Sequence, residues 1–241
     1  MPDKITFVSL NSYQLKKLLI TGVTICGLIL LFVGCDHGLF HSRIAEGTIE
    51  YKITVLDTAN ALAKFAPDKM TVKFKKNKAY AEMVAGMGLF ETSFINDEPA
   101  MKITQMVRML TKKVAYVADT AAINKELTKD LQLIITPTDE TKMIAGYKCK
   151  KVTAKDKDGK FPPFDIYYTK EIKLENPNWA TPFKDIDGVL MEYKISKYGF
   201  YMEFTAQQVT PDKIDDDIFT MPPEYKLISK QQIDELYKGF E

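Results

Sequence analysis

From Glu46 onward the apolar residues recur with a period of two. Ile49, Tyr51, Ile53 and Val55 alternate with Glu50, Lys52 and Thr54, and Met70, Val72 and Phe74 alternate with Thr71, Lys73 and Lys75. Successive side chains on a strand point to opposite faces, so this pattern describes sheet that is apolar on one side and polar on the other. Lys76-Asn77-Lys78 turns the chain into a strand over 79–84, and Gly86-Met87-Gly88 breaks it before another over 89–95. Asn96-Asp97 reads as a hairpin turn into a strand over 100–106. Further strands are expected at 113–118, 132–136, 147–154, 164–169, 189–196 and 200–209, the last two joined by Tyr198-Gly199. One-sided patterning and short turns predict an antiparallel meander rather than βαβ units.

Helical spacing is rarer. Thr58 to Phe65 is one short candidate, ended by Pro67, and Thr120 to Asp130 is a second, with Ile123, Leu127 and Leu131 on one face. The clearest lies at 229–240, where Ser229 and Gln232 have capping-box spacing and Ile233, Leu236, Tyr237 and Phe240 share a stripe. That stripe is expected to pack on the domain. Trp179, the only tryptophan, sits in a loop between Pro177 and Pro182, where it either plugs the core or lines a pocket.

Scarce residue types exclude several chemistries. The two histidines, His37 and His41, precede the first strand, so the domain contains no Ser-His or Cys-His pair and no His-based zinc site. Cys149 is then a thiol without a base, read as buried and inert on a strand. Arg43 and Arg108 are the only arginines, and Arg108 is read as a surface residue. No phosphate-binding glycine loop, HExxH or CxxC occurs. Asp156-Lys157-Asp158-Gly159 reads as a hairpin turn rather than a calcium loop, and Asp215-Asp216-Asp217 as a solvated acidic turn. No cofactor and no metal is expected. A formal charge of +1, from 33 basic and 32 acidic residues, carries no basic excess for nucleic acid.

The N-terminus carries an address. Lys16-Lys17 precede an uncharged apolar run, Leu18 to Val33, ending in Phe32-Val33-Gly34-Cys35. Those sixteen residues would span about 24 Å as helix, short of a ~30 Å hydrocarbon core, and the basic-apolar-small order is that of a secretory signal. The Gly34-Cys35 pair resembles a bacterial lipobox, with Phe32 where leucine is commonest. The resemblance implies residues 1–34 as signal peptide, Cys35 as the lipidated first residue of the mature chain, 35–45 as a tether and 46–241 as one domain. An uncleaved signal anchor is the alternative. Asp36 would retain an enterobacterial lipoprotein at the inner membrane, but other phyla do not follow that rule, so inner and outer membrane both stay open.

Three segments carry a second resemblance. Thr141 to Lys151 (TKMIAGYKCKK), Gly188 to Tyr193 (GVLMEY) and Asp217 to Tyr225 (DIFTMPPEY) resemble motifs of an uncharacterised lipoprotein family common in Bacteroidetes. That family is similar to the LolA/LolB-like superfamily. The resemblance implies an α+β, mostly β fold: a single curved antiparallel sheet, a half-barrel, with a few helices on its concave face.

A half-barrel is too wide for its own side chains to fill, which leaves a groove suited to acyl chains. Met70, Val72, Phe74, Phe90, Phe94, Met202 and Phe204 are the residues expected to line it. The same residues read equally well as a closed core. The expected function is therefore a membrane-anchored lipoprotein, not an enzyme, that binds a lipid or acylated molecule. The alternative is an interaction subunit of an envelope complex with a filled core. A carboxylate hydrolase would need two of the strand glutamates Glu82, Glu91, Glu192 and Glu203 to pair.

Overall fold

A computed structural model describes residues 43–57, 63–128, 131–159, 161–197 and 199–238. The expectations for residues 1–34, Cys35, His37, His41, Tyr198 and Phe240 lie outside the described residues.

The period of two is realised as one 12-stranded, mostly antiparallel open sheet. The first six strands are β1 (Glu46–Val55), β2 (Lys69–Lys75), β3 (Lys78–Ala85), β4 (Phe90–Asp97), β5 (Lys102–Met109) and β6 (Lys112–Ala118). Then follow α1 (Thr120–Leu127), β7 (Leu133–Ile144), β8 (Tyr147–Asp156), β9 (Phe164–Thr169), β10 (Val189–Lys197) and β11 (Phe200–Thr210). The chain ends with β12 (Lys226–Leu227) and α2 (Lys230–Tyr237). The spatial order is β12-β6-β5-β4-β3-β2-β1-β11-β10-β9-β8-β7. Two meanders are thus sewn together where β1 meets β11, with Ile53 opposite Phe204 and a bulge at Glu50/Tyr51.

This order forces curvature. Ten strand spacings separate β6 from β7, about 48 Å along a flat sheet at ~4.8 Å each. Residues 119–132 join them. Eight helical residues cover about 12 Å, and six further residues could add no more than about 20 Å even if fully extended, so the link reaches at most about 32 Å. The sheet must bend so that α1 can cross its hollow side. Asp119 caps that helix, its Oδ1 accepting from Ala122 N at 2.9 Å, and Ile123 is buried beneath it.

The C-terminal segment covers both faces of the opposite edge. Met106 and Val107 are neighbours on β5 and so face opposite ways. Met106 packs with Ile95, Ala115, Ile214 and Phe219 on the outer side. Val107 packs with Phe90, Val114, Ile233 and Tyr237 of α2 on the inner side. Between these contacts β12 rounds the edge and pairs parallel to β6. The predicted capping box of α2 is formed: Ser229 N donates to Gln232 Oε1 at 3.0 Å, and Gln232 N donates to Ser229 Oγ at 3.3 Å.

Turn chemistry explains most element ends. Lys76 and Asn77 have φ of 51° and 60°, the pair of positive values that a two-residue hairpin needs. Ala145 and Gly146 form the same kind of turn between β7 and β8. Four expectations are refined or corrected. Asn96 and Asp97 stay in β4, opposite Ile103 and Lys102, and the turn falls at 98–101 because Asp97 Oδ1 accepts from Ala100 N at 3.1 Å. β7 continues past Thr136 to Ile144, interrupted at Pro137, which has no N–H to give and sits on an edge strand. Ile44, within the expected tether, bridges Ile172. Of the helix expected over Thr58 to Phe65, residues 58–62 lie outside the described residues, and Ala63–Phe65 form a single 3-10 turn.

Candidate functional site

The hollow side of the sheet holds a partly open cavity of about 630 Å3. Its walls come from the inward residues of β1 to β6, from β10 and β11, from α1, and from the loop Leu174 to Phe183. Apolar side chains dominate because the period-two pattern turns its apolar face this way. Met70, Val72, Phe94, Met202 and Phe204 all line it, brought together from β2, β4 and β11. Phe74 and Phe90 lie elsewhere. Phe74 is fully buried in the main core, and Phe90 packs edge-on against Tyr237 with ring centroids 5.4 Å apart.

The loop that closes one side is held by side-chain hydrogen bonds. Asn178, 6% exposed, donates through Nδ2 to Ile186 O at 2.7 Å and to Gly188 O at 2.9 Å. Thr181 Oγ1 donates to Asn178 O at 2.8 Å. Trp179 Nε1 donates to Asn96 Oδ1 at 2.7 Å, and Glu175 N donates to Asn77 Oδ1 at 3.1 Å. The tryptophan is half-buried and fastens the loop to β4; the expectations of core plug and pocket wall both missed this role. Across the cavity Lys230 Nζ lies 3.2 Å from Glu126 Oε1, tying α2 to α1.

Sequence reasoning did not single out the aromatic floor. Tyr193 stacks on Phe204, its neighbour across the ladder, with centroids 5.0 Å apart and planes 8° from parallel. Tyr51 and Phe183 meet it edge-on at 6.3 Å and 5.7 Å. Tyr51 donates its hydroxyl to Leu190 O at 2.8 Å. Burial pushes the phenols of both Tyr51 and Tyr193 well above the usual range, so they are neutral donors at ordinary pH. The apolar alternation around Tyr51 and the GVLMEY segment contained these residues, but a tyrosine in such a run is indistinguishable from ordinary core.

The strand glutamates are engaged separately. Glu82 accepts from Tyr80 at 2.8 Å, Glu91 from Arg108 Nη2 at 2.6 Å, and Glu192 from Lys142 at 2.7 Å. Glu203 lies 3.5 Å from Lys194. Asp216 pairs with Lys75 and Lys76 at 3.0 and 3.2 Å, and these lysines hold its carboxyl below the usual range. Among the described residues no group of three or more His, Cys, Asp or Glu side chains is placed to hold a metal ion.

Cys149 is buried on β8, and burial pushes its thiol up to about 12. The folded state therefore keeps a proton that the unfolded chain releases above its own thiol pKa, near 9. Stability is accordingly lost as pH rises from about 9 toward 12. Melting temperatures measured across that range are expected to fall, and Cys149→Ala is expected to flatten the first part of the decline. The tyrosines retain the later part.

No family model matches the chain, and no curated protein matches it. Two solved structures of PNGF-II are similar to it. One has a TM-score of 0.51 at 15% identity, covering 81% of this chain and 34% of that one. The other has a TM-score of 0.48 at 18% identity, covering 81% and 32%. At such identity the first likeness concerns the fold alone, and this chain spans about a third of PNGF-II's length.

Proposed function

We propose that the protein is a membrane-anchored exported lipoprotein whose domain holds a hydrophobic molecule in the cavity without catalysing a reaction. The observation that carries this reading is the partly open, mainly apolar cavity itself. About 630 Å3 lies within the range of small-molecule sites, and its walls are the sheet's own inward side chains. The methionines Met70, Met83 and Met202 among those walls are unbranched and adapt to varied apolar shapes. Saturable one-to-one uptake of a naphthylamine dye, competed by a long-chain lipid, is the test; a protein that leaves the dye's emission unchanged would count against the reading.

The anchor rests on the lipobox resemblance at Cys35. Each methylene buried in a bilayer contributes about 0.8 kcal/mol, so two or more acyl chains make the attachment effectively permanent. Cys35→Ala is expected to move the full chain from the membrane fraction to the soluble fraction and to remove the acyl mass. An unchanged distribution with no acyl mass on the natural chain would overturn the anchor.

A second reading, an interaction subunit, is favoured by one feature. Met87 is 92% exposed, and Leu89 and Leu110 beside it are also exposed, joined through Leu110 N to Leu89 O at 3.0 Å. Met87 and Leu110 both sit at positive φ, where large apolar side chains are uncommon. An apolar tip of this kind suits a protein partner.

A further inference from the structure

We infer that the cavity selects a neutral molecule carrying a carbonyl-type acceptor, such as an ester or ketone, and that the Tyr193 hydroxyl is the donor that binds it. The inference deepens the proposed function and rests on it.

Three observations on Tyr193 lead there. Its ring is enclosed by Tyr51, Phe183 and Phe204, which all line the cavity. Its hydroxyl has no hydrogen-bond partner among the described residues. Yet that oxygen is not sealed off, because Glu46 Oε2 is the one buried side-chain polar atom without a hydrogen-bond partner among the described residues. Tyr193 is half-buried and lines the cavity, so a hydroxyl that is neither bonded nor sealed opens onto that space. By contrast Tyr51, its neighbour, spends its proton on Leu190 O.

The chemistry of the surroundings sets the ligand class. Buried polar groups are normally satisfied, so a free phenol facing an apolar space is a place for a ligand atom. The phenol donates, so the ligand must accept. Burial alone, with no neighbouring charge contributing, raises the phenol's pKa. Two lysines, Lys197 and Lys230, line the cavity, and Lys230 is already paired with Glu126 and Asp234; an unpaired charge beside the Tyr193 hydroxyl is strongly disfavoured. A neutral carbonyl with an apolar body satisfies the donor and fills the volume.

Two dyes of similar size separate the possibilities: a naphthyl ketone, whose emission reddens when its carbonyl accepts a hydrogen bond, and a phenyl-naphthylamine without a carbonyl. Both are titrated into the full chain and into Tyr193→Phe, which keeps the ring and its packing. Because the hydroxyl has no protein partner, the variant should melt at or above the temperature of the natural chain. The ketone is expected to bind the variant five- to tenfold more weakly, with its bound emission shifted to the blue, as loss of one hydrogen bond worth about 1 kcal/mol implies. The naphthylamine is expected to change less than twofold. If both dyes bind the natural chain and the variant leaves the ketone's affinity and colour unchanged, the inference fails while the cavity reading stands. If neither dye binds the natural chain, both fail.

Discussion

Replacing Asn178 with aspartate should destabilise the protein by about 3–5 kcal/mol, although the two side chains have the same shape. The amide of Asn178 points two N–H bonds at Ile186 O and Gly188 O. A carboxylate there would set negative oxygens against both carbonyls in a site almost without solvent. A buried charge that loses its partner costs about that much. The penalty has a pH signature. Repulsion and burial raise the new carboxyl's folded pKa above its unfolded value. The loss is therefore smallest below about pH 4, where the protonated carboxyl can still donate one of the two bonds, grows as pH rises toward the folded pKa, and is constant above it. Denaturant melts at pH 4 and pH 7 read this directly; equal losses at both would show that the Asn178 bonds do not hold the loop. Because Asn178, Pro177 and Thr181 all line the cavity, dye uptake at pH 7 should fall with stability.

Ala81→Trp should abolish ligand uptake, weakening it at least tenfold, while the fold survives. Ala81 lies on β3 between Val72 and Phe94, and all three line the cavity. An indole projecting from that position occupies the space a ligand needs, and a tryptophan side chain brings 150–250 Å2 of surface to bury. Since it fills existing volume rather than displacing packed neighbours, the melting temperature should hold or rise. A variant that melts as expected but still takes up dye would place binding outside the cavity. The same variant separates the two functional readings: an interaction subunit would keep its activity in the envelope with the cavity filled, whereas a ligand-binding lipoprotein would lose it.

The elements that depend on local physics were legible in the sequence. β9 at 164–169 and the Ser229–Gln232 capping box were read directly, because strand alternation and helix caps involve residues a few positions apart. The turn at Asn77 was equally plain. Features set by long-range pairing were not. That β1 would close against β11 follows from contacts more than a hundred residues apart, and the short β12 has no pattern beyond its partner β6. Asn96-Asp97 looked like a turn because those residue types favour turns, yet Asp97 caps the turn from the strand end.

The site was half legible for a related reason. Met70, Val72, Phe94, Met202 and Phe204 fall on an inward face and line the cavity, since parity along a strand decides that. Whether an inward residue meets a neighbour or open space depends on curvature and on what covers it. Phe74 is met by the core and Phe90 by Tyr237, a residue from the far end of the chain. Asn178 and Tyr193 are among the polar groups of the site, and neither stands out by type or spacing.

Native mass spectrometry of the full chain, purified from bacterial membranes and paired with lipid extraction, tests the central claim most directly. The account predicts one apolar molecule per chain beyond the covalent acyl mass, extractable into organic solvent and missing from Ala81→Trp. A mass equal to the lipidated chain alone, unchanged after incubation with a long-chain ester, would contradict it.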